Sequence, residues 1–239
     1  MTVTRSRVPR GRVRRGRRST KASTAEVERS PLPANGQASI PAKVLEAVRF
    51  FFAFLKEPAT VGALIPSSRI LARAMLDLVD LKSARTVVEL GPGTGAITGP
   101  ILDRMDPAGL LLAMELNQQH VEQLRKQYPR VKVFSDSAQQ LPRYLGRYRV
   151  SSADIIISGL PWTNMPLGVQ EEILDAVVAS MHERSVFMTF GYTHVQWMPG
   201  ARRFQGLLRE RFGQIERTRT IWRNVPPALV HVCRAPIGR

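Results

Sequence analysis

The segment Glu89-Leu90-Gly91-Pro92-Gly93-Thr94-Gly95 begins at the end of an apolar stretch, residues 85–90, that predicts a buried strand. In open α/β sheets, ligands bind beyond the carboxyl ends of the strands, and glycines let the backbone approach a ligand closely. The segment lacks the Gly-Lys-Ser/Thr ending of a phosphate-binding loop and the third glycine of the dinucleotide-binding pattern. It therefore predicts a cofactor-binding turn, with a tight strand-to-helix turn as the purely structural alternative.

Strand and helix patterns alternate on both sides of this turn. The predicted strands are residues 85–90, 109–115, 131–134, 154–158 and 185–190, and the predicted helices are residues 96–105, 117–128, 137–145 and 168–181. Such alternation favours right-handed crossovers and a parallel, doubly wound α/β sheet. Residues 212–222 and 228–233 are strand-like and are separated by a turn-rich segment, which predicts an antiparallel hairpin at the edge of the sheet.

Acidic residues stand at the ends of three consecutive predicted strands. Glu89 ends the first, Glu115 and Leu116 end the second, and Asp136 and Ser137 follow the third. A carboxylate at the end of the second strand can accept hydrogen bonds from both hydroxyls of a ribose. For each acid taken alone, a helix N-cap or a solvated loop is the alternative. Taken in series, the three predict a cofactor of the adenosine type.

The chain has 239 residues and a formal net charge of +16. Its first 25 residues contain nine Lys and Arg and no acid, and residues 1–38 contain few large apolar side chains. This composition predicts a disordered basic tail that attracts phosphate on RNA, DNA or anionic lipid. One cysteine, Cys233, excludes an internal disulfide and a Cys-rich zinc site, and we expect no bound metal. The longest apolar run, residues 50–55, is far shorter than the ~20 residues of a membrane span.

An amphipathic helix is predicted between the basic tail and the α/β domain, within residues 39–58. Residues 41–57, PAKVLEAVRFFFAFLKE, place their charged side chains on one stripe and leave a wide apolar arc. One interpretation is a helix packed on the core of the domain. The other is a helix that lies in a membrane interface, where the preceding bases would strengthen binding to anionic lipid. Residues 59–239 then form the α/β domain.

The segment at residues 89–95, together with Glu115, Asp136 and the sequence SGLPW at 158–162, resembles the motifs of class I S-adenosylmethionine-dependent methyltransferases. The resemblance covers roughly residues 60–235. It implies a seven-stranded sheet whose last strand is inserted antiparallel, which agrees with the predicted hairpin. It also implies that S-adenosylmethionine is held through its methionine part at the glycine-rich turn, through its ribose at Glu115, and through its adenine at Asp136 and Ser137.

The end of the fourth predicted strand is the candidate catalytic segment. Its residues are Ser158, Gly159, Leu160, Pro161 and Trp162. In amino-methyltransferases this position faces the transferred methyl group, and here it resembles the N-L-P-Y motif of ribosomal RNA adenine dimethyltransferases. Gly159 and Trp162 replace Asn and Tyr of that motif. We expect Trp162 either to stack on a base or a cationic head group, or simply to pack in the core.

The flanking sequences resemble bacterial soluble phospholipid N-methyltransferases, a family that methylates phosphatidylethanolamine. The similar segments are residues 57–69 and residues 221–228, which reads IWRNVPPA. The resemblance implies that Arg69, Arg223 and Asn224 bind the lipid substrate, with the two arginines placed for its phosphate. No His and carboxylate pair is evident for removing a proton from the amine. His194, after the fifth strand, is the one loop candidate for that base.

We therefore expect methyl transfer from S-adenosylmethionine to the amine of phosphatidylethanolamine and its methylated products. The expected partners are an anionic membrane surface and the lipid itself, at the cytoplasmic face of the membrane. The alternative is an RNA adenine N6-methyltransferase, whose basic tail binds RNA phosphates with a steep salt dependence. A third interpretation is a non-catalytic RNA or membrane adaptor that keeps the cofactor fold. The sequence leaves the oligomeric state open.

Overall fold

A computed structural model describes residues 64–238, with side chains from residue 69 onward. The predicted basic tail, residues 1–38, and the predicted amphipathic helix, residues 39–58, lie outside the described residues. The described part forms alternating strands and helices that end in an antiparallel strand pair. No helix within it is long and apolar enough to cross a bilayer.

The described chain contains seven strands and six α-helices, joined by short turns. In chain order the elements are α1 (Leu64–Leu76), β1 (Thr86–Leu90), α2 (Thr98–Arg104), β2 (Leu110–Met114), α3 (Gln118–Gln127), β3 (Lys132–Phe134), α4 (Leu141–Arg147), β4 (Ala153–Ser158), α5 (Leu167–Ala179), β5 (Met181–Tyr192), α6 (Pro199–Arg211), β6 (Phe212–Arg217) and β7 (Ala228–Pro236). Single 3₁₀ turns lie at Ala138–Gln140, Trp162–Asn164 and Thr193–Val195.

All seven strands form one sheet, in the order β3-β2-β1-β4-β5-β7-β6. The first five strands are parallel, and β7 is inserted antiparallel between β5 and β6. Register aligns Leu90 of β1 with Met114 of β2 and Ser158 of β4, so the carboxyl ends of these strands meet at one edge. The predicted doubly wound α/β sheet with a terminal antiparallel hairpin is confirmed.

Helices cover both faces of the sheet, which explains the apolar character of the central strands. All five residues of β1 are buried, as expected for a parallel strand with helices on both sides. Val88 and Leu90 face one core layer, together with α5 and α6, whereas Val87 faces the other layer, together with α1 and α3. The two layers are therefore built by alternate residues of the same strands.

The structure adds two helices that were not predicted and shortens one predicted strand. No helix was predicted for α1 or α6, although Pro199 stands at the start of α6 and Phe204, Leu207 and Leu208 follow at helical spacing. The strand predicted for residues 212–222 ends at Arg217, and beyond it only Ile221 bridges to Ala228. The rest of that stretch is a loop, which changes the surroundings of the predicted substrate-binding residues.

Candidate active site

The glycine-rich turn after β1 adopts backbone angles that side chains rarely tolerate. Gly91, Gly93 and Gly95 have φ values of 70°, 58° and 87°. The Gly91 amide donates a hydrogen bond of 2.9 Å to the Met114 carbonyl, and the Gly95 amide donates one of 2.9 Å to the Pro92 carbonyl. The turn is therefore a fixed left-handed loop whose backbone is accessible to a ligand, which only glycine forms without strain.

Glu115 fastens this turn to the end of β2. Its buried carboxylate accepts a 3.0 Å hydrogen bond from the Gly93 amide and a 2.8 Å hydrogen bond from the Asn117 amide. Asn117 in turn caps α3 through its own side chain, which accepts from the amide of Gln119. A carboxylate has about four lone-pair directions, so Glu115 retains acceptor capacity for the hydroxyls of a ribose.

Glu89 is a buried acid with one oxygen unpaired. Its Oε2 accepts a 2.6 Å hydrogen bond from the Thr98 hydroxyl, whereas Oε1 has no hydrogen-bond partner among the described residues. Burial, with a further contribution from the nearby charge of Glu115, raises the pKa of Glu89 to about 7, although the Thr98 hydroxyl opposes the shift. Because an orphaned buried carboxylate oxygen is costly, this atom marks a place for a hydrogen-bond donor of a bound ligand.

Asp136 lies half-buried beyond β3, at the same edge of the sheet. Its carboxylate accepts hydrogen bonds of 2.8 Å from the Tyr144 hydroxyl and from the amide of Ser137. Ser137, and not Asp136, is the N-cap of the 3₁₀ turn that follows, since its side chain accepts from the Gln139 amide. The alternative interpretation of Asp136 as a helix cap is therefore wrong, and its carboxylate remains positioned at the strand end.

These residues fit the predicted cofactor. Glu89 lies next to the last residue of β1, Glu115 and Asp136 lie just beyond β2 and β3, and Leu116 lies half-buried directly after Glu115. A nucleoside offers hydroxyl and amine donors to carboxylate acceptors, and the methionine part offers an ammonium donor. The unpaired Oε1 of Glu89 and the open backbone of the glycine turn are the two features that a bound ligand would explain.

The segment after β4 is fixed by Ser158 and Trp162. The Trp162 indole N–H donates a 3.1 Å hydrogen bond to the Ser158 hydroxyl, and the Leu160 amide donates a longer one of 3.3 Å to the same oxygen. The Trp162 ring is buried and stacks on Phe204, with 4.5 Å between ring centroids. Trp162 thus packs in the core, which was the second of the two expectations for it. The Ser158 hydroxyl holds the segment after β4 in place.

Gly159 brings the candidate catalytic segment into contact with the glycine-rich turn. A Cβ atom at position 159 would lie 2.7 Å from the Gly91 carbonyl oxygen, so no side chain fits there unless the backbone moves. The Gly159 amide donates a 2.8 Å hydrogen bond to the Leu90 carbonyl. The Leu160 side chain lies against Gly91 from the other side. An Asn side chain at this position would therefore clash with the glycine-rich turn as it stands.

An apolar cavity of about 270 Å³ opens beside this segment. Gly159, Leu160 and Pro161 form one wall, and the ends of β5 and α6 form the opposite one. The apolar side chains of that second wall are Phe190, Tyr192, Val195, Met198, Ala201 and Phe204. Its surface is mainly apolar, the polar side chains of Thr163, Asn164, Gln196 and Gln205 also line it, and none of the lining residues is an acid. Such a cavity suits a largely apolar ligand held by a few oriented polar groups.

Two histidines line the cavity, and only one was expected. His194 is exposed on the loop after β5, where its ring stacks on Tyr192 with 5.9 Å between centroids. His231 is buried on β7, opposite Thr189 of β5. Burial, with further contributions from Arg217 and Arg209, lowers the pKa of His231 to about 4. His231 is therefore a neutral imidazole in the wall of the cavity at physiological pH.

A second cavity of about 480 Å³ shares Gln205 and His231 with the first. It contains Arg209 of α6 and Arg217 of β6, both exposed and without an ion pair among the described residues. The neighbouring Arg211 and Arg234 are instead neutralised by Asp175 and Glu216. The second cavity therefore offers two uncompensated positive charges next to the apolar one.

The predicted substrate-binding residues are dispersed. Arg69 is exposed on α1, and Arg223 is exposed on the loop before β7. Asn224 is buried in that loop, where its amide donates a 2.6 Å hydrogen bond to the Pro226 carbonyl. The structure thus gives Asn224 a part in shaping the loop. None of these three residues lines either of the cavities described above.

His231, Gln205, Arg209 and Arg217 were not among the site residues predicted from the sequence. These side chains come from α6, β6 and β7, which meet only because β7 inserts between β5 and β6. The amphipathic spacing of α6 was a usable signal for Gln205 and Arg209. No local signal existed for His231, because its role depends on the strand that it pairs with.

Comparison with known proteins adds relatives of two kinds. The chain is 28% identical over 188 residues to the ornithine lipid N-methyltransferase of Singulisphaera acidiphila, which covers 77% of this chain and 94% of that protein. It is 26% identical over 151 residues to ribosomal RNA small subunit methyltransferase A of Dehalococcoides mccartyi, spanning 61% of this chain but 47% of that protein. No protein-family model matches the chain.

The solved structures of similar fold include N-methyltransferase NodS from Bradyrhizobium japonicum WM9 in complex with S-adenosyl-L-homocysteine. It superimposes with a TM-score of 0.59 at 14% identity, covering 81% of this chain and 98% of that one. These likenesses confirm the Rossmann-like class I methyltransferase fold expected from the sequence. The sequence relatives agree with the predicted enzyme class and cofactor, and the resemblance to lipid N-methyltransferases is confirmed by the relative from Singulisphaera acidiphila.

Proposed function

We propose that this chain transfers methyl groups from S-adenosylmethionine to the amine of a membrane amino lipid. Phosphatidylethanolamine and its methylated products are the first candidates, and ornithine lipid, after which the relative from Singulisphaera acidiphila is named, is the second. The observation that carries the proposal is the acid-free apolar cavity beside Gly159, Leu160 and Pro161, directly adjacent to the glycine-rich turn. An aminoalkyl chain needs mainly an apolar wall, which this cavity supplies.

The charge distribution supports a zwitterionic head group. Both candidate lipids join an amine to an anionic group, phosphate in one and carboxylate in the other. Arg209 and Arg217 lie next to the apolar cavity, where they would bind that anion. Because His231 is neutral, it does not repel the cationic amine that must first enter the cavity. An imidazolium at the same place would oppose entry.

Methyl transfer requires the protein mainly to position the two reactants and to exclude water from the site. S-adenosylmethionine supplies an electrophilic methyl group when bound, and the amine must lose a proton before it attacks. Contact between Gly159 and Gly91 sets the distance between the cavity and the cofactor turn, so the segment after β4 orients the amine. His194, which lines the cavity from an exposed loop, is placed to pass the released proton to solvent.

The expected site of action is the cytoplasmic surface of the membrane, through residues 39–58 and the basic tail. The competing function is methylation of an adenine in ribosomal RNA, which the second relative favours. The chain matches less than half of the length of that relative, whereas it covers nearly all of the lipid enzyme. This difference in coverage favours the lipid.

The test is a radiolabelled methyl-transfer assay with the full chain. Vesicles of phosphatidylethanolamine and anionic lipid, vesicles containing ornithine lipid, and ribosomal RNA are offered in parallel. We expect label in the lipid extract, lost on Glu115→Gln and Asp136→Ala and retained on Glu122→Gln, whose carboxylate is exposed on α3. Label in RNA alone would overturn the proposal, and label in only one of the two lipids would identify the head group.

A further inference from the structure

Two loops at the carboxyl edge of the sheet expose large apolar side chains. The first loop is residues 193–198, between β5 and α6, and the second is residues 218–227, between β6 and β7; together we call them the interfacial loops. Trp197 is 68% exposed and Trp222 is 75% exposed. Four of the eight large apolar side chains exposed within residues 69–238 lie here, and the other two of the four are Met198 and Val225.

Such exposure is unfavourable in water. Full burial of a large apolar side chain stabilises a protein by roughly 1.5–3 kcal/mol, so two open indoles forgo a substantial stabilisation. Trp favours sites where one side is apolar and the other is wet, above all the interface between membrane and water. Clustered exposed apolar side chains of this kind indicate a surface that meets another phase or partner.

The interfacial loops are held in place by hydrogen bonds. The Thr193 amide donates a 2.9 Å hydrogen bond to the Pro227 carbonyl, which joins the first loop to the second. Within the second loop, the Asn224 amide donates to the Ile221 carbonyl at 3.1 Å, and the buried Asn224 side chain donates to Pro226. Trp222 and Val225 are therefore presented outward by a loop whose centre is fastened.

The charges around the interfacial loops have one sign. Arg219 and Arg223 are exposed on the second loop, and Arg202 and Arg203 are exposed at the start of α6. None of the four makes an ion pair with a described residue, and residues 193–203 and 217–227 contain no acid. Exposed indoles surrounded by uncompensated arginines complement a surface that is apolar beneath and anionic on top.

We propose that the interfacial loops insert into an anionic lipid bilayer and set the mouth of the apolar cavity against the membrane. Met198 both lines the cavity and is 36% exposed, so the cavity wall continues onto this surface. Aliphatic side chains such as Met198 and Val225 favour lipid over nucleic acid, since they offer no stacking face for a base. The proposal builds on the proposed lipid substrate, but it concerns binding and is testable without turnover.

The three tryptophans of the chain supply the test. The full chain is mixed with vesicles of phosphatidylglycerol and brominated phosphatidylcholine, without S-adenosylmethionine. We expect Trp197 and Trp222 to shift their emission to the blue and to be quenched by bromine. In Trp197→Phe/Trp222→Phe the remaining Trp162, which is buried, is expected to show no quenching. Bound chain without quenching in the unsubstituted protein would overturn the proposal.

Affinity is measured by vesicle sedimentation. We expect Trp197→Ser/Trp222→Ser to weaken partitioning at least tenfold. The matched control is Leu78→Ser/Ile237→Ser, which removes two exposed apolar side chains at the opposite edge of the sheet and should change nothing. Equal loss in both double variants, or none in either, would contradict the proposal, as would a blue shift with ribosomal RNA and none with vesicles.

A last measurement separates this proposal from the proposed function. Methyl transfer to a short-chain amino lipid dissolved as a monomer does not require a membrane. We expect Trp197→Ser/Trp222→Ser to lose activity on vesicles and to keep activity on the monomer. If no lipid is methylated at all, the quenching result still decides whether the interfacial loops enter the bilayer.

Discussion

The two halves of the carboxyl edge of the sheet have opposite chemistry. One half holds the carboxylates of Glu89, near the end of β1, and of Glu115 and Asp136, just beyond β2 and β3. The other half, beyond β4 and β5, holds an apolar cavity that adjoins a second cavity with two arginines, and no acid lines either cavity. The first half suits the hydroxyl and amine donors of a nucleoside, and the second suits an amine on an apolar chain with a nearby anion.

The contact between the halves is as informative as their difference. Gly159 at the end of β4 touches the Gly91 carbonyl of the cofactor turn, and both positions lack a side chain. A methyl transfer requires donor and acceptor atoms within a few ångströms, so this contact determines whether the two halves work together. Substitutions at this contact should therefore reduce methyl transfer more than substitutions within either half.

Gly159→Ala is expected to have the largest effect. The new Cβ would lie 2.7 Å from the Gly91 carbonyl oxygen, which is backbone and cannot rotate away. The turn and the segment after β4 would separate, and a misplacement of about 1 Å at a reacting centre costs on the order of 100-fold in rate. We therefore expect methyl transfer to fall by about that factor while the chain stays folded, as checked by circular dichroism.

The matched control is Gly146→Ala in α4, where an added Cβ meets nothing within 4 Å. Alanine is favoured over glycine in a helix, so this variant should keep full activity and equal or greater stability. An active Gly159→Ala variant would show that the two halves do not need this contact.

Glu89→Gln tests the cofactor half of the edge through the pH dependence of folding stability. The pKa of Glu89 is raised from 4.5 to about 7, so between these values the native state binds more protons than the unfolded state. Stability without cofactor therefore falls as pH rises through this window, by at most about 3 kcal/mol. We expect Glu89→Gln to be more stable than the unsubstituted chain at pH 8, with the difference vanishing near pH 4.

The measurement is urea unfolding at both pH values, with Glu122→Gln, the same exchange at an exposed site, as the control. A difference of equal size at pH 4 and pH 8 would mean that the pKa of Glu89 is not raised in the native state.

His231→Asn tests the cavity half of the edge, and here stability falls as pH falls, whereas at Glu89 it falls as pH rises. The pKa of His231 is lowered from 6.5 to about 4, so its contribution is complete above pH 6.5 and is lost as pH falls through 4. We expect the unsubstituted chain to lose at most about 3 kcal/mol more than His231→Asn between pH 7 and pH 4. His194→Asn, the same exchange on an exposed loop, is the control.

If His231→Asn and the unsubstituted chain lose stability in parallel down to pH 4, the imidazole is not held neutral by its surroundings. The cavity half of the edge would then carry more positive charge than it does with a neutral His231.

Arg209→Ala/Arg217→Ala is expected to have the smallest effect. Both guanidinium groups are exposed, so each contributes modestly to binding of an anion. We expect KM for the lipid to rise by about fivefold with little change in kcat, because the arginines would bind the head group without touching the reacting atoms. Arg184→Ala, at the opposite edge of the sheet, is the control. A loss confined to kcat would contradict a role in binding.

Several features were predictable because their signals are local. The buried stretch RTVVEL predicted β1, and the helical pattern of residues 117–128 predicted α3, whose N-cap is Asn117. The positions of Glu115 and Asp136 at strand ends followed from the alternation of strands and helices, since parallel strands end at one edge. The helix predicted at residues 137–145 became a 3₁₀ turn followed by α4, because Pro142 favours a fresh helix start.

Other features escaped the sequence because they depend on distant partners. Trp162 was a candidate for stacking on a ligand, and its place in the core is decided by Phe204 and by the Ser158 hydroxyl. Gly159 looked like a lost catalytic side chain, but the Gly91 carbonyl leaves no room for one. Arg223 and Asn224 were predicted from a motif, and the structure places them on a fastened loop that lines neither cavity.

The α/β class, the order of the strands along the chain and the acids at their ends follow from the amino-acid pattern alone, because periodicity and turn chemistry act over a few residues. The second half of the site depends instead on the packing of distant segments. His231, Gln205, Arg209 and Arg217 come together because β7 runs between β5 and β6, an arrangement fixed by pairing between strands far apart in the chain. Exposure of Trp197 and Trp222 was likewise decided by packing, since an indole in a sequence does not reveal which neighbours will cover it.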